Sequence, residues 1–584
     1  MTEPSTPEAR LLSQVSGSRL MDSTRSIARW VRLSGEPDEL ASFEWVKARL
    51  EEYGFETELT HHRAYISLPG PAVLRVAGHD REVTGISHAF ATSTPTGGLS
   101  GRLVDARSAD AAGAADAFAG KIVLVDGMAS GVSVRTWEDR GTIAQVHVHD
   151  DHLHETSVSP VWGNPTEQGL ELMPRTPGLA IRRSDAAWLR ELMSGGPIEV
   201  TIHTEVLTEW RPIPLLTAAL PTAPAEPYVL LSSHIDSWYY GAMDNGSANA
   251  TTLKVARILA ENAGELRRGL RVAFWSGHSH GRFAGSAWYA DDRWLDLHEH
   301  CVAHVFVDST GGKGATVVTE APVMPQTKGL AAAAVKAVTG EEFDGKRIGR
   351  FADQSFYAIG LNSVFGTLSE QEASGASDTI SFKTGGKRAG GLGWWWHTPD
   401  DTVDKVDEAF LVRDTKIYLA ALHRLLTAPR LPFDYRPAIE EVAATLGSRA
   451  KASARHLDTT GLLRDAADAH EAIHRFHEAL DRAGREADEV ANRALLRLSR
   501  HLVPLAFHES GRFERDLAEP LVPVPSLRDL ERLAGLPEDD AVAHAMATRL
   551  HRTINRVRFG LRNATRVARE AQQELTAVSA HAEA

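Results

Sequence analysis

Residues 228–251 read YVLLSSHIDSWYYGAMDNGSANAT. The stretch opens on a short apolar run, Tyr228–Ser232, and passes directly into His234 and Asp236. A glycine-bounded turn carrying Asp244 follows, and then a helical stretch, Ala248–Asn262. A buried strand handing over to a helix is the unit of an α/β domain. The same texture recurs outward at Leu270–Trp275 (LRVAFW), Val302–Val307 (VAHVFV) and Val364–Leu368 (VFGTL). The fold class this predicts is α/β, with a mainly parallel mixed sheet flanked by helices. In such sheets ligands bind beyond the carboxyl ends of the strands.

Three of these runs end in candidate ligands. The first delivers His234 and Asp236, the second (LRVAFWSGHSHG) delivers His278, Ser279 and His280, and the third delivers Asp308. Asp244 lies between the first two, and His397 comes far downstream in WWWHTPDDTVDKVD. Imidazoles and carboxylates converging at strand ends suit Zn²⁺, which takes N and O ligands. One carboxylate can bridge two ions, and such a pair activates water and polarises a carbonyl. His234 and Asp236 are two apart and so point to the same side of an extended chain. Singly, each residue has a plainer reading: a hydrogen-bonded histidine, a cap or turn at Asp244-Asn245-Gly246, and a solvated helix start at DDTVDKVDE. Their joint occurrence, in order and at strand ends, marks a site. A competing reading is Gly277-His278-Ser279-His280-Gly281 as a G-x-S-x-G nucleophile elbow, with Asp353 or Asp378 and then His397 in chain order.

With 584 residues, roughly 150 per domain gives three or four domains. Composition is that of a globular protein, 43% hydrophobic and 24% charged, and excludes disordered, collagenous or coiled-coil chains. The net charge of −14 excludes nonspecific nucleic-acid binding, which needs a basic stripe. A lone cysteine, Cys301, excludes intrachain disulfides and cysteine-cage zinc sites. MTEPSTPEAR lacks the features of a signal peptide, and no apolar run reaches about 18 residues. A cytoplasmic protein without membrane contact is the expectation. Toward the N-terminus, Phe43–Tyr53 reads as an amphipathic helix, with extended segments after it. Turn residues and short apolar runs such as Lys121–Val125 predict a small β-rich unit of its own through about residue 215. After residue 430 helical periodicity takes over, as in Ile473, Phe476 and Leu480, and again from Asp540 to about Thr576. This predicts a helical bundle.

The phrases HIDSWYYGAMDNGSANATTLKVAR, RVAFWSG…GSAWYA, FVDSTGG, FADQSFYAIGLNS and WWWHTPDDTVDKVD together resemble the ordered signatures of the zinc aminopeptidase, glutamate carboxypeptidase and transferrin-receptor family. That resemblance implies a metallopeptidase-like α/β domain over residues 1–84 and 216–430. It also implies a protease-associated insertion over 85–215 and a helical dimerisation domain over 431–584, hence a homodimer. By the same resemblance His234, Asp244 and Asp308 match the ligands of one metal. Asp244 matches the bridging carboxylate, His397 a ligand of the second metal, and Asp236 the support of the first histidine. The family carries a Glu-Glu pair, base and ligand, where this chain has His278-Ser279-His280, and the spacing to Gly285-Ser286 is one residue longer. Only two matched ligand carboxylates then face the cations, which should weaken the second ion site or demand an anion there. His278 or His280 can ligate zinc or move protons near neutral pH, with Ser279 also a candidate for either position.

The function this implies is a metal-dependent hydrolase of an amide or peptide-like bond, binding one or two Zn²⁺ and a small-molecule or peptide-like substrate. The alternatives are a catalytically silent dimeric scaffold and a serine hydrolase using Ser279. Substrate contacts are expected from Trp396 in the Trp394-Trp395-Trp396 run, from Tyr239, and from Arg350, with Arg347 nearby in sequence. The histidine-rich run VHVHDDHLHE, holding His147, His149, His152 and His154, reads as an exposed strand and loop in the inserted domain, with metal binding or a place facing the active-site cleft as the alternatives.

Overall fold

The computed structural model describes residues 6–107, 117–373 and 387–583. Asp378 lies outside the described residues. An eleven-stranded mixed sheet forms the frame, with helices packed on its faces. At its heart Gly269–Trp275, Tyr228–His234, Cys301–Phe306 and Asn362–Val364 lie side by side and parallel. Strand Tyr228–His234 is buried along its whole length, which explains why it reads as a continuous apolar run. Its side chains alternate between two cores. Val229 and Leu231 join the core that contains helices Gly17–Ile27, Ala248–Glu261 and Glu408–Thr427, while Tyr228 and Leu230 face helices Ala284–Asp292 and Trp294–His300.

The next strand in the chain, Gly269–Trp275, pairs on one side of Tyr228–His234, and the one after it, Cys301–Phe306, pairs on the other. The side on which successive strands are added switches at this strand, so a crevice opens beyond its carboxyl end. The fourth strand stops earlier than its sequence suggests. It covers Asn362–Val364 because Phe365 takes φ +63°, a left-handed conformation that ends extended pairing.

Two 21-residue strands, Glu56–Val76 and Glu199–Ala219, pair antiparallel over nearly their full length. One end of this ribbon joins Gly269–Trp275. The other joins a further group of strands, including the parallel set Leu99–Asp105, Ile122–Asp126, Ala144–Val148 and Gly178–Ile181. That group has its own core of Leu74, Leu124, Val146, Leu179 and Ile202, separate from the main one. Helices Gly131–Glu138 and Arg183–Ser194 belong to the same stretch, so it is less purely β than its turn-rich sequence suggests. From Arg436 onward the regular elements among the described residues are helical. The long periodic segment after residue 460 divides into Thr460–Arg482 and Asp488–Phe507 around Gly484, and Ala541–Glu583 packs against both. No described helix is long and apolar enough to cross a membrane.

Candidate metal centre

His234 ends its strand with Nδ1 2.9 Å from the main-chain carbonyl of Asp236. That contact makes Nδ1 the donor and leaves Nε2 with its lone pair facing the crevice. Nε2 lies 3.2 Å from Asp244 Oδ1 and 3.7 Å from Asp308 Oδ1. The other Asp244 oxygen, Oδ2, lies 3.0 Å from His397 Nε2. His397 is oriented in the same manner, its Nδ1 donating to the Glu155 carbonyl at 2.7 Å. Asp244 therefore stands between two imidazoles, one oxygen toward each.

Local structure fixes these positions. Gly241 takes φ +46°, and a Cβ there would fall 2.1 Å from the Asp244 carbonyl oxygen, so the turn before Asp244 requires glycine. Asn245 donates through Nδ2 to Ser233 Oγ at 3.1 Å and accepts from the Ser309 N–H at 2.9 Å, tying two strand ends together. Asp401 accepts the N–H groups of Met243 and Asp244. Fully buried Arg32 donates to the carbonyls of Ile27, Trp30, Ile235, Tyr240 and Gly241, which clamps the loop from the other side.

Asp236 is buried under His278-Ser279-His280. Its carboxylate accepts the N–H groups of His278 at 3.1 Å and Ser279 at 2.8 Å, and the Ser34 hydroxyl at 3.1 Å. Burial opposes its ionisation, but His234 and His280 hold its pKa well below the carboxylate range. Burial likewise opposes charging of His234, yet Asp236, Asp244 and Asp308 raise its pKa well above the usual value. Three carboxylates thus surround the His234 imidazole, Asp236 beside Nδ1 and Asp244 and Asp308 beside Nε2. His234 Nε2 and Asp244 Oδ1 are both enclosed, 3.2 Å apart and without a hydrogen bond. Two lone-pair atoms converging in this way fit a cation, and the N and O donor set fits zinc.

The three residues of the His278-Ser279-His280 segment go to three places. His278 stacks on His234 with centroids 3.7 Å apart, and its Nδ1 meets Asp353 Oδ2 at 2.8 Å. One ligand atom each from His234, His278 and Asp308 lies within 4.8 Å of the others. His280 is turned inward, its Nδ1 3.0 Å from Ser34 Oγ and its ring edge-on to Trp238, so it does not join that group. Ser279 is buried, and its main chain caps Asp236. Among the described residues the serine triad does not assemble. Both ring nitrogens of His397 are engaged by Asp244 and Glu155, Asp353 serves His278, and Ser279 lacks the positive φ of a strained elbow.

The expected substrate contacts also separate. Trp396 is half-buried and stacked on His397 at 3.5 Å, whereas Trp395 belongs to the core. Tyr239 donates its hydroxyl to Glu155 Oε1 at 2.8 Å. Arg350 is paired with Asp516 and donates to the Leu517 carbonyl, so its charge is satisfied within the chain. Arg347 is bound to Glu441.

The histidine-rich run is not an exposed strand and loop. His147, His149 and His154 are buried, and His152 stacks on Trp394 at 4.3 Å. His154 Nδ1 meets the Trp396 carbonyl at 2.5 Å, and Glu155 holds His397 through both main-chain groups. Arg32, Glu155 and Asp401 escape sequence reasoning because nothing in their neighbourhoods signals burial.

A model of peptidase family M28 matches residues 216–422, the stretch that carries His234, Asp244, His278, Asp308 and His397. A probable glutamate carboxypeptidase, VP8, of Zea mays is 28% identical over 222 residues, which are 36% of this chain and 30% of that protein. The aminopeptidase NAALADL1 of Mus musculus is 26% identical over 187 residues, 30% of this chain and 24% of its own. The matched stretch therefore spans less than a third of either relative. Among solved structures, an aminopeptidase from Aneurinibacillus sp. strain AM-1 superposes with TM-score 0.52 at 18% identity, covering 72% of this chain and 96% of that one. BSAP, a zinc aminopeptidase from Bacillus subtilis, gives 0.53 at 16% identity, covering 71% and 95%. At these identities the structural likeness establishes the fold. Over residues 216–422 the chain thus matches the model of peptidase family M28 and is similar there to glutamate carboxypeptidases and aminopeptidases.

Proposed function

We propose that the chain is a zinc-dependent hydrolase of an amide or peptide-like C–N bond. The observation that carries this reading is the convergence of His234 Nε2 and Asp244 Oδ1, enclosed and without a hydrogen bond between them. His234, Asp244 and Asp308 would hold one ion. His397 with Asp244 would form a second, weaker site, since neither Glu of the family pair is present. Zinc supplies a Lewis acid and lowers the pKa of water at such a centre.

The chain's own residues would divide the remaining work. Asp236 and the Glu155 carbonyl orient the two imidazoles. His278, held at Nδ1 by Asp353, presents Nε2 for proton transfer. It takes a proton from the attacking water and returns it to the departing nitrogen, replacing the family's glutamate. Trp396 lines the approach beside His397. Chelator treatment followed by zinc replacement, with elemental analysis at each step and a panel of peptides and amides as substrates, tests the reading. Hydrolysis that disappears with the metal and returns with it is expected. Protein that binds no zinc would instead favour a catalytically silent scaffold.

We further propose that residues 85–215 form a protease-associated insertion, and that 431–584 form a dimerisation unit. Helix Ala541–Glu583 supports the second reading, because Val542 and Phe559 on it are exposed, Phe559 at 71%. Light scattering at micromolar concentration should give twice the chain mass, and a monomer would refute it.

A further inference from the structure

Far along the chain from the strand-end centre, His470 and His474 sit four residues apart on helix Thr460–Arg482, and so on one face of it. Their rings are stacked with centroids 4.3 Å apart. Helix Arg436–Ser453 packs alongside and brings Glu440 Oε1 to 3.2 Å from His474 Nε2. One ligand atom from each of the three lies within 4.8 Å of the other two.

The contact between Glu440 and His474 is not a well-formed hydrogen bond. His474 Nε2 is enclosed and makes none, although a carboxylate oxygen stands 3.2 Å away. A simple ion pair would align the N–H with that oxygen. A nitrogen and a carboxylate oxygen close together but misaligned are both left with lone pairs that one ion can take. The imidazoles are half-buried and Glu440 is exposed, so an ion could enter from solvent and keep water in its open positions. Two imidazoles and one carboxylate favour a borderline divalent transition ion, whereas Mg²⁺ and Ca²⁺ prefer all-oxygen sets.

We propose that Glu440, His470 and His474 form a second, separate binding site for Zn²⁺ or a similar divalent transition ion, which clips helix Arg436–Ser453 to helix Thr460–Arg482. The two helices are already tied at another point, where the Tyr435 N–H donates to His477 Nε2 at 3.0 Å. A bound ion adds a tie on the solvent side. Nothing in this proposal depends on the strand-end centre.

The test is equilibrium dialysis of the full chain against Zn²⁺ alone, with elemental analysis, for the parent, the exposed-site variant E440Q and the double variant H470A/H474A. Far-UV circular dichroism checks that each variant is folded. The double variant should bind one ion per chain fewer than the parent. E440Q should weaken the same ion by about tenfold. Zinc should raise the Tm of the parent more than that of the double variant. Equal stoichiometry and equal affinities in all three proteins would overturn the proposal. Should the double variant misfold, an unchanged zinc isotherm in E440Q would overturn it alone. Because the readout is a difference between parent and variant, it stands even if the strand-end centre binds no zinc.

Discussion

The carboxylate of Asp401 accepts the main-chain N–H groups of Met243 and Asp244, each at 2.9 Å, and so fixes the turn on which Asp244 projects. Asp401 is buried, and burial pushes its pKa up to about 7 despite those two donors. Asp401→Ala leaves two enclosed N–H groups without partners, at a cost of about 1–3 kcal/mol each. We expect lower Tm, weaker zinc binding and reduced turnover. Asp401→Asn keeps one acceptor and should fall between. Denaturant titration and metal analysis check both variants, and an alanine variant with unchanged metal content would show that the turn is held without Asp401.

Asp401 also marks the limit of what the sequence discloses. The run Asp400–Asp407 is rich in acids and reads as a solvated helix start. That reading holds for most of the run, since Asp400 and Asp404 are exposed and the Asp407 side chain caps the helix beginning at Glu408, but it fails at Asp401. Burial of Asp401 follows from the packing of residues far apart in the chain. The candidate ligands His234, Asp244, Asp308 and His397 are legible because each follows an apolar run or stands in a recognisable phrase. Arg32 and Glu155 are not, since their contacts are to carbonyls and main-chain groups that carry no sequence signature. The parallel strands were legible from apolar runs, whereas the long antiparallel ribbon was not. Its register joins residues more than a hundred positions apart, such as Leu59 and Leu216.

His278 and Asp353 should behave as a unit. If His278 transfers protons, His278→Ala keeps the metal content of the parent and lowers kcat by about 10²–10⁴. Asp353→Asn should lower kcat less and leave KM nearly unchanged, because it removes only the orienting charge. If His278 is a ligand instead, the alanine variant loses zinc in proportion to activity. Parallel metal analysis and steady-state kinetics separate the outcomes. His280→Ala should mainly reduce stability, since that ring is enclosed against Trp238 and Ser34.

Ser279 should be dispensable for chemistry. Its N–H, which any residue but proline supplies, is what reaches Asp236. Ser279→Ala should retain more than about a tenth of parental kcat/KM, a loss below 1.4 kcal/mol. A fluorophosphonate probe should leave Ser279 unlabelled while chelator abolishes activity. Stoichiometric labelling with chelator-insensitive activity would reverse the assignment.

Acid should loosen the stretch that carries the buried histidines. Burial pushes His147 down to about 4 and His149 down to about 3, and His88 well below its usual value, so all three are neutral when folded. In the unfolded chain each titrates near 6.5. Between those values the unfolded state binds more protons, so stability rises with pH through that window. The stabilisation is fully present above about pH 6.5 and declines as pH falls toward 4. For His147 alone the shift corresponds to about 3 kcal/mol at most. Denaturant unfolding at pH 7.5 and 5.0 should therefore give a lower midpoint at pH 5.0. His147→Gln, which cannot titrate, should shrink that difference, and an equal pH response in the variant would place the acid sensitivity elsewhere.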